Sequence, residues 1–319
     1  MDVSVILPVY NEEENIPILY RELCEALAPT KWSHEIIFVD DGSSDRSWEI
    51  LSDIQQRDER VVAIRFRRNF GQTAALSAGF DHASGDVVVT LDADLQNDPR
   101  DIPLLVTKLK EGYDLVNGWR FDRKDPFLSR RLPSMIANWI ISTATNVKLH
   151  DYGCTLKAFR REIAANLRLY GEMHRFIPAI ASGLGAAITE IRVNHRERRF
   201  GKSKYGISRT IRVVLDLITV KFFLSYSTRP IQMFGLLGVV SGGIGFVMAL
   251  WMTIQRQLYG MGLANRPLLL LAILLMFTGL QFVSLGLIAE LQSRTYHESQ
   301  NKPIYVIRKT LQGNHLKRE

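Results

Sequence analysis

The sequence predicts an α/β layer with a mostly parallel central sheet, followed by amphipathic helices at a membrane surface and two helices that cross it. Three observations carry this expectation. From Val3 to Arg120, short apolar runs alternate with amphipathic stretches, the pattern of strands joined through helices. One of these runs, Val87-Val88-Val89-Thr90-Leu91, is apolar without alternation, as a strand buried on both faces of a parallel sheet would be. Residues 231–254 and 268–289 are uncharged and apolar, and each exceeds or matches the roughly 20 residues a helix needs to cross a bilayer.

The elements follow in order. Val3 to Val9 reads as a strand, closed by Tyr10-Asn11, and a helix runs to about Leu27. Glu12-Glu13-Glu14 are expected in its first turn, where carboxylates suit the helix dipole. Glu35 to Val39 is the next strand, with Asp40 to Ser44 as its turn and Asp45 as N-cap of a helix to about Gln56. Val61 to Phe66 is a third strand, and Arg67 to Gln72 leads into a small-residue helix ending at Ser84-Gly85. After the Val87 strand, Pro99 to Lys110 is helical and Asp114 to Gly118 is a fifth strand ending at Trp119-Arg120. Residues 126–144 are apolar at helical spacing with basic residues near the start, which fits core packing and a bilayer surface equally. Asp151 to Cys154 turns the chain back to the sheet, Ile188 to Val193 is a strand, and His195 to Tyr205 is a basic, glycine-containing loop.

Composition narrows the partners. The 319 residues allow one large or two modest domains. A net charge of +7 and a pI near 9.4 favour anionic partners. Cys24 and Cys154 lie far apart at no metal-like spacing, so free thiols in a reducing compartment are expected. The N-terminus lacks the basic segment and long apolar core of a secretory signal. A mean hydropathy of -0.01 averages a polar N-terminal part with an apolar C-terminal one.

The chemistry is expected where the Val87 strand runs into Asp92-Ala93-Asp94-Leu95-Gln96. In extended geometry, Asp92, Asp94 and Gln96 would point to one side, and three hard oxygen donors suit Mg²⁺ or Mn²⁺. Alone, such a run is a common polar turn. Parallel strands, however, end on one edge, where open α/β sheets bind ligands. Tyr10-Asn11, Asp40-Asp41, Arg67 to Asn69, Asp92 to Gln96 and Trp119-Arg120 would converge there. Carboxylates beside arginines and a glycine-bearing loop describe a nucleotide-diphosphate site with a metal between the phosphates. No Gly-x-Gly-x-x-Gly follows the first strand. Gly201-Lys202-Ser203 has only the tail of a P-loop, because Arg196 stands where its first glycine belongs.

The C-terminal part reads as an interfacial helix, residues 206–228, with charges interspersed among apolar residues. Two spans follow within residues 229–291, the first crowded with Gly235, Gly238, Gly242, Gly243 and Gly245, which allow helices to pack closely. Residues 292–319 read as a basic tail. Basic residues flanking the spans place both termini, and the α/β domain of residues 1–205, in the cytoplasm of an inner-membrane protein.

These residues form a familiar set. Ile6-Leu7-Pro8-Val9-Tyr10-Asn11-Glu12, Val39-Asp40-Asp41-Gly42-Ser43-Ser44-Asp45, Asn69-Phe70-Gly71-Gln72 and Leu91 to Pro99 resemble the nucleotide-sugar domain of glycosyltransferase family 2. Asp151-Tyr152-Gly153-Cys154 and Arg199 to Tyr205, with two spans behind, resemble its polyisoprenyl-phosphate branch, which includes dolichyl-phosphate mannose synthase and the bactoprenol glucosyltransferases. The resemblance implies a GT-A fold, a UDP- or GDP-sugar donor, Mg²⁺ or Mn²⁺, and a polyisoprenyl (undecaprenyl) phosphate acceptor in the bilayer. It implies no nucleic acid. It gives Pro8, Tyr10, Glu12, Asp40 and Asp41 to the nucleoside, with Asn69, Gly71, Gln72, Asp92 and Ala93 also on the nucleotide-sugar. Asp94 and Gln96 fall to the metal, and Arg120, Arg131 and Lys204 to phosphates. Arg131, Lys202 and Lys204 would meet the acceptor phosphate, and Asp151 would lie near it.

The expected reaction is an inverting, in-line transfer with glucose from UDP-glucose as the first choice of donor. Mannose, N-acetylglucosamine and aminoarabinose are the alternatives. A phosphate acceptor needs no general base, because its second pKa is near 6, so Asp151 is expected to orient the site. Association of copies through the spans would give a homo-oligomer. A processive synthase would need a Gln-x-x-Arg-Trp motif and more spans, and a transporter would need a polar pathway through its spans; neither is visible. A non-catalytic nucleotide-sugar-binding scaffold remains the alternative of a different class.

Overall fold

The computed structural model describes residues 1–121, 142, 147–169, 173–197, 230–260, 267–299 and 304–313. Arg131, Lys202 and Lys204 lie outside these residues, as do the stretch 126–141, most of the basic loop and the interfacial helix expected at 206–228. The chain forms two compact units, Met1–Val220 with Pro303–Glu319, and Lys221–Lys302.

In the first unit, β1 (Val3–Val9), β2 (His34–Asp40), β3 (Val61–Phe66), β4 (Val87–Thr90), β5 (Leu115–Arg120), β6 (Lys157–Arg160), β7 (Ile188–Val193) and β8 (Ile307–Leu311) make one sheet in the order β7-β5-β6-β4-β1-β2-β3-β8. β1 pairs in parallel with β2 and β4, β2 with β3, and β5 with β7. Among the described strands, only β6 and β8 run against their neighbours. The apolar runs that predicted β1, β2 and β4 are buried on both faces, because helices cover the layer. α1 (Ile16–Leu27) buries Ile16, Leu19, Leu23, Ala26 and Leu27, one stripe at helical spacing. α2 (Ser47–Arg57), α3 (Gln72–His82) and α4 (Ile102–Lys110) complete the β-α alternation. Two short helices, α5 (Arg161–Asn166) and α6 (Ile177–Gly183), precede β7.

The two edges of the sheet differ in chemistry. At the N-terminal edge, Ser4 Oγ and Ser84 Oγ donate to Glu35 Oε1 at 2.5 and 2.7 Å, and Gly85 N donates to Ser4 Oγ at 2.8 Å. That buried network is internally satisfied and seals its edge. The C-terminal ends of β1 to β5 and β7 all emerge at the opposite edge, as expected. β6 enters there too, since Lys157 stands across from Thr90 and Asn117.

Three local expectations change. Glu12 to Glu14 are not in the first helical turn. α1 starts at Ile16 without an acidic first turn, Glu12 Oε2 accepts from Asn15 Nδ2 at 2.5 Å, and Glu13 Oε2 accepts from Arg46 N at 2.9 Å. The Glu12 carboxylate thus braces its own loop, while that of Glu13 ties the β1 loop to the β2 loop. The N-cap of α2 is Arg46, while Asp45 Oδ1 accepts from Ser47 N at 3.0 Å from one residue further out. Asp92 to Gln96 is not extended, since β4 ends at Thr90 and Leu95 has φ 61°, turning the run back on itself.

The expected basic tail also contributes to the fold. Ile307–Leu311 is β8, antiparallel to β3. Tyr305 stacks on Phe66 with centroids 5.1 Å apart and donates to Asp81 Oδ2 at 2.7 Å. Tyr305→Ala is expected to weaken docking of β8 by on the order of 3 kcal/mol, read as roughly hundredfold faster hydrogen exchange at residues 307–311. Unchanged exchange there would show that the strand ladder alone holds β8.

The second unit holds α7 (Pro230–Tyr259) and α8 (Pro267–Ser299). Phe234–Tyr259 and Pro267–Ala289 are long and apolar enough to cross a membrane. Leu236, Val239, Phe246, Leu270, Leu274 and Phe277 are exposed, which a soluble core helix would not allow. The helices meet at small residues. A Cβ on Gly238 would sit 2.6 Å from Gly279 O, and one on Gly245 would sit 2.5 Å from Ala272 O. Ser241 Oγ donates across the pair to Leu275 O at 3.0 Å.

Candidate active site

The β1 and β2 loops are sewn together by side chains. Asn11, at φ 54°, accepts on Oδ1 from Ser44 N at 2.8 Å, and its own N–H donates to Ser43 Oγ at 3.0 Å. Glu12 N donates to Ser47 Oγ at 2.9 Å. Asp40 and Asp41 are both buried. Asp40 Oδ1 accepts from Ser43 N at 2.9 Å, with Arg65 Nε 3.4 Å from Oδ2. Asp41 holds the loop after β3, accepting from Phe70 N at 2.6 Å and Gly71 N at 2.9 Å. Burial raises both carboxyls above the ordinary range. Gly42, at φ +72°, packs so tightly on this loop that a Cβ would lie 2.5 Å from the Arg68 carbonyl carbon. The two aspartates thus build the loops that face the cleft. Pro8 fits in β1 because the ladder to β4 ends at Ile6, so its missing N–H removes no bond there. Pro8 and Tyr10 are half-buried, and Asn69 is exposed.

The centre lies beyond β4. Asp92 Oδ1 accepts from Gln72 Nε2 at 2.6 Å, joining the start of α3 to the acidic turn. Burial pushes Asp92 up to about 7, and the charge of Asp94 adds to it, against the pull of Thr155, Arg120 and Lys157. Asp94 Oδ1 accepts from Gln96 N at 3.1 Å, closing the turn around Leu95. Ala93 is buried among core residues, so its side chain does not line the cleft and only its backbone is available to a ligand. Across the site, Arg120 and Asp151 form a bidentate pair, Nε to Oδ2 at 2.7 Å and Nη2 to Oδ1 at 2.9 Å. Burial works against the charge on Arg120, yet pairing with Asp151, aided by Cys154 and Asp92, holds it more firmly protonated than an ordinary arginine. The pair fixes the plane of the Arg120 guanidinium against Asp151.

Lys157 was not among the expected site residues. It is buried, and its Nζ donates to Tyr152 O at 3.3 Å and to Cys154 O. Burial pushes it down to about 8. Asn117 Nδ2 donates to Asp151 O at 2.8 Å and Thr90 Oγ1 to Thr155 O at 2.7 Å. Three strands therefore grip the 151–156 turn that presents Asp151. The available signal was a lysine inside the short apolar run Leu156-Lys157-Ala158-Phe159. Cys154 is free and buried, its thiol pushed up to about 11 by that burial.

The segment after β7 closes the far side of the acidic turn. Asn97 bridges His195, and Arg196 N donates to Gln96 O at 2.8 Å. Arg196 also pairs with Asp98 at 2.8 Å and Glu22 at 2.6 Å. Hydrogen bonds from Arg100 and Arg196 hold Asp98 at about 2, although its burial works the other way.

The family model described as Glycosyl transferase family 2 matches residues 4–168, which contain every strand around the acidic turn except β7 and β8. Dodecaprenyl-phosphate galacturonate synthase of Rhizobium johnstonii is 41% identical over 314 residues, covering 97% of this chain and 92% of that one. Undecaprenyl-phosphate 4-deoxy-4-formamido-L-arabinose transferase of Pseudomonas aeruginosa is 40% identical over 313 residues, covering 98% and 91%. Among solved structures, glucosyl-3-phosphoglycerate synthase from Mycobacterium tuberculosis, in complex with Mn²⁺, UDP-glucose and phosphoglyceric acid, matches with a TM-score of 0.53 at 21% identity, over 70% of this chain and 79% of that one. That likeness concerns the fold, which is GT-A. The α/β domain, its acidic turn and the near full-length relatives converge on one assignment: the chain belongs to glycosyl transferase family 2.

Proposed function

We propose that the protein transfers a sugar from a nucleotide donor to the phosphate of a polyisoprenyl lipid, such as undecaprenyl phosphate, at a membrane surface. The observation that carries this reading is that relatives named for polyprenyl-phosphate sugar transfer align through the two apolar helices as well as the α/β domain. UDP-glucose, the first choice from sequence, has less support than the aminoarabinose alternative, because these relatives are named for galacturonate and 4-deoxy-4-formamido-L-arabinose. The donor proposed here is accordingly a nucleotide-linked uronic acid or 4-amino-type pentose.

The residues fit a divalent cation. Asp92 and Asp94 crowd negative charge that a cation would relieve, and Gln96 follows with a neutral oxygen donor. Among the described residues no group of three His, Cys, Asp or Glu forms a complete protein shell, which suits Mg²⁺ or Mn²⁺, whose shells are completed by water and substrate phosphates. Asp94 and Gln96 would hold the ion, which when bound stabilises charge on the departing diphosphate. Arg120, aligned by Asp151, faces the same charge with fixed guanidinium donors. Gln72 keeps Asp92 oriented toward the sugar. The laced β1 and β2 loops, with Tyr10 and Glu12 at their mouth, receive the nucleoside.

β8 supports placing the C-terminus and the α/β domain on one side of the membrane, since the chain returns to the same sheet after α7 and α8. Their basic flanks favour the cytoplasmic side.

The test is transfer of label from UDP-glucose, UDP-galacturonate and UDP-linked 4-deoxy-4-formamido-L-arabinose into undecaprenyl phosphate by the purified full chain. Label in organic-extractable lipid from one of the latter two, lost with EDTA and restored by Mg²⁺ or Mn²⁺, is expected. Label from UDP-glucose alone would overturn the donor assignment, and none from any donor would leave the scaffold reading in its place.

A further inference from the structure

Trp119 and Arg192 stand opposite each other where β5 and β7 end. Their side chains begin a ladder of flat groups. The Trp119 ring stacks on His150 with centroids 4.1 Å apart and an interplanar angle of 13°. On its other contacts, Trp119 meets Phe121 edge-on at 5.0 Å. The Arg192 guanidinium lies 3.9 Å from the Phe121 centroid and 5.2 Å from that of Trp119. His150 is anchored in turn by the Glu190 carboxylate, which also accepts from His150 N at 2.9 Å. Among the described residues, no carboxylate lies within ion-pairing distance of Arg192. Stacking on rings leaves a guanidinium's edge N–H groups free to meet an anion.

Arg192 and Phe121 line an open cleft of about 730 Å³ together with Arg100, Arg196, His195 and Asp98. Of its three guanidinium groups, Arg100 and Arg196 are engaged by Asp98, and Arg196 also by Glu22, whereas Arg192 is held by rings. Phe121 is 51% exposed and supplies an apolar wall. The cleft adjoins the catalytic edge on both sides. Phe121 directly follows Arg120, and the Arg196 wall is bonded to Gln96 and Asn97 through Arg196 N and the His195 bridge. An edge strand often carries charge simply to stay unpaired, but that role needs neither two rings nor a cleft shared with two further arginines.

We propose that this cleft binds the prenyl phosphate end of the lipid acceptor, with Arg192 donating to the phosphate and Phe121 packing against the first isoprene unit. The proposal rests on the reaction argued above and goes beyond it, since Arg192, Phe121 and Trp119 had no part in that reading. A phosphate attached to a branched hydrocarbon matches the pairing of an unopposed guanidinium with an exposed aromatic face.

The experiment compares the full-length detergent-purified protein with Arg192→Gln and Arg192→Lys, varying farnesyl phosphate as a soluble acceptor at saturating donor, and donor at saturating acceptor. Arg192→Gln is expected to raise KM for farnesyl phosphate at least tenfold while moving KM for the donor less than twofold, and Arg192→Lys to fall between. Binding of farnesyl phosphate, farnesol and inorganic phosphate, followed by tryptophan fluorescence, gives a readout independent of turnover. Farnesyl phosphate should bind more tightly than either half, with the advantage lost in Arg192→Gln. Unchanged acceptor KM and binding in Arg192→Gln overturns the proposal, as does an increase confined to donor KM, which would make Arg192 a reader of the sugar. Weakened binding to anionic phospholipid vesicles, with farnesyl phosphate binding intact, would make the cleft a bilayer contact and also overturn it. If the wild-type protein transfers no sugar at all, the proposed reaction fails, and the fluorescence comparison still decides the cleft.

Discussion

Asp94→Ala lowers sugar transfer by on the order of 10³-fold, the scale seen when a fixed electrostatic stabiliser is removed from a developing charge. Asp94 lies half-buried between Asp92 and Gln96, and its negative charge helps push Asp92 up to about 7. Removing Asp94 should therefore move Asp92 back down, because the repulsion that burial amplifies is gone. A carboxyl raised in the folded state favours folding below its unfolded pKa, and that contribution is lost as pH rises toward about 7. A bound cation reverses this by favouring the ionised form, so the wild-type protein should bind the metal more weakly below pH 7, in competition with a proton. Asp94→Ala should lose the thermal stabilisation by Mn²⁺ along with this drop in turnover, with membrane insertion retained. Retained activity in Asp94→Ala would remove Asp94 from the metal's shell and sink this account of the site.

Lys157→Met is expected to cost roughly 10 to 100-fold in turnover, a range typical of a residue that aligns others at a distance. Its amine donates to Tyr152 O and Cys154 O, so the variant leaves two turn carbonyls without that partner. An unsatisfied buried polar group costs about 1–3 kcal/mol, enough to loosen the turn that seats Asp151 on Arg120. The substitution also removes a positive charge that lowers Asp92. Asp92 should then titrate at higher pH, and the acidic limb of the transfer profile should move to higher pH with it. Lys157→Arg keeps the charge but not the fit of a compact ammonium, so it should restore the pH limb more than the rate. A purely structural role predicts lower stability in Lys157→Met with an unmoved limb, and that outcome would reject Lys157 as a positioning residue.

The contrast between these two residues shows what could be read before the fold was known. Asp94 announces itself, since it follows an apolar run, sits in an acid-x-acid spacing and precedes a proline-marked helix start. Lys157 looks like any basic residue beside Arg160 and Arg161. It becomes part of the site only because β6 inserts antiparallel between β4 and β5, placing Lys157 across from Thr90 and Asn117. Asp41 shows the same limit in reverse. Its position at a strand end was legible, whereas its hydrogen bonds to Phe70 N and Gly71 N depend on a loop many residues away. The aromatic ladder behind Arg192 likewise requires β5 and β7 to be neighbours, though 60-odd residues of chain separate them.

By itself the sequence determined the strand and helix alternation, the two apolar spans, the acidic turn at the sheet edge and the glycosyl transferase family 2 motifs. These are written in local periodicity and in short runs whose residue types admit few backbone conformations. Only the tertiary structure decided the strand order, the antiparallel entries of β6 and β8, the left-handed turn at Leu95, and the pairing of Arg120 with Asp151 over a buried lysine. Those features come from contacts between distant segments, where burial and hydrogen-bond satisfaction select one arrangement among many that the local pattern would permit.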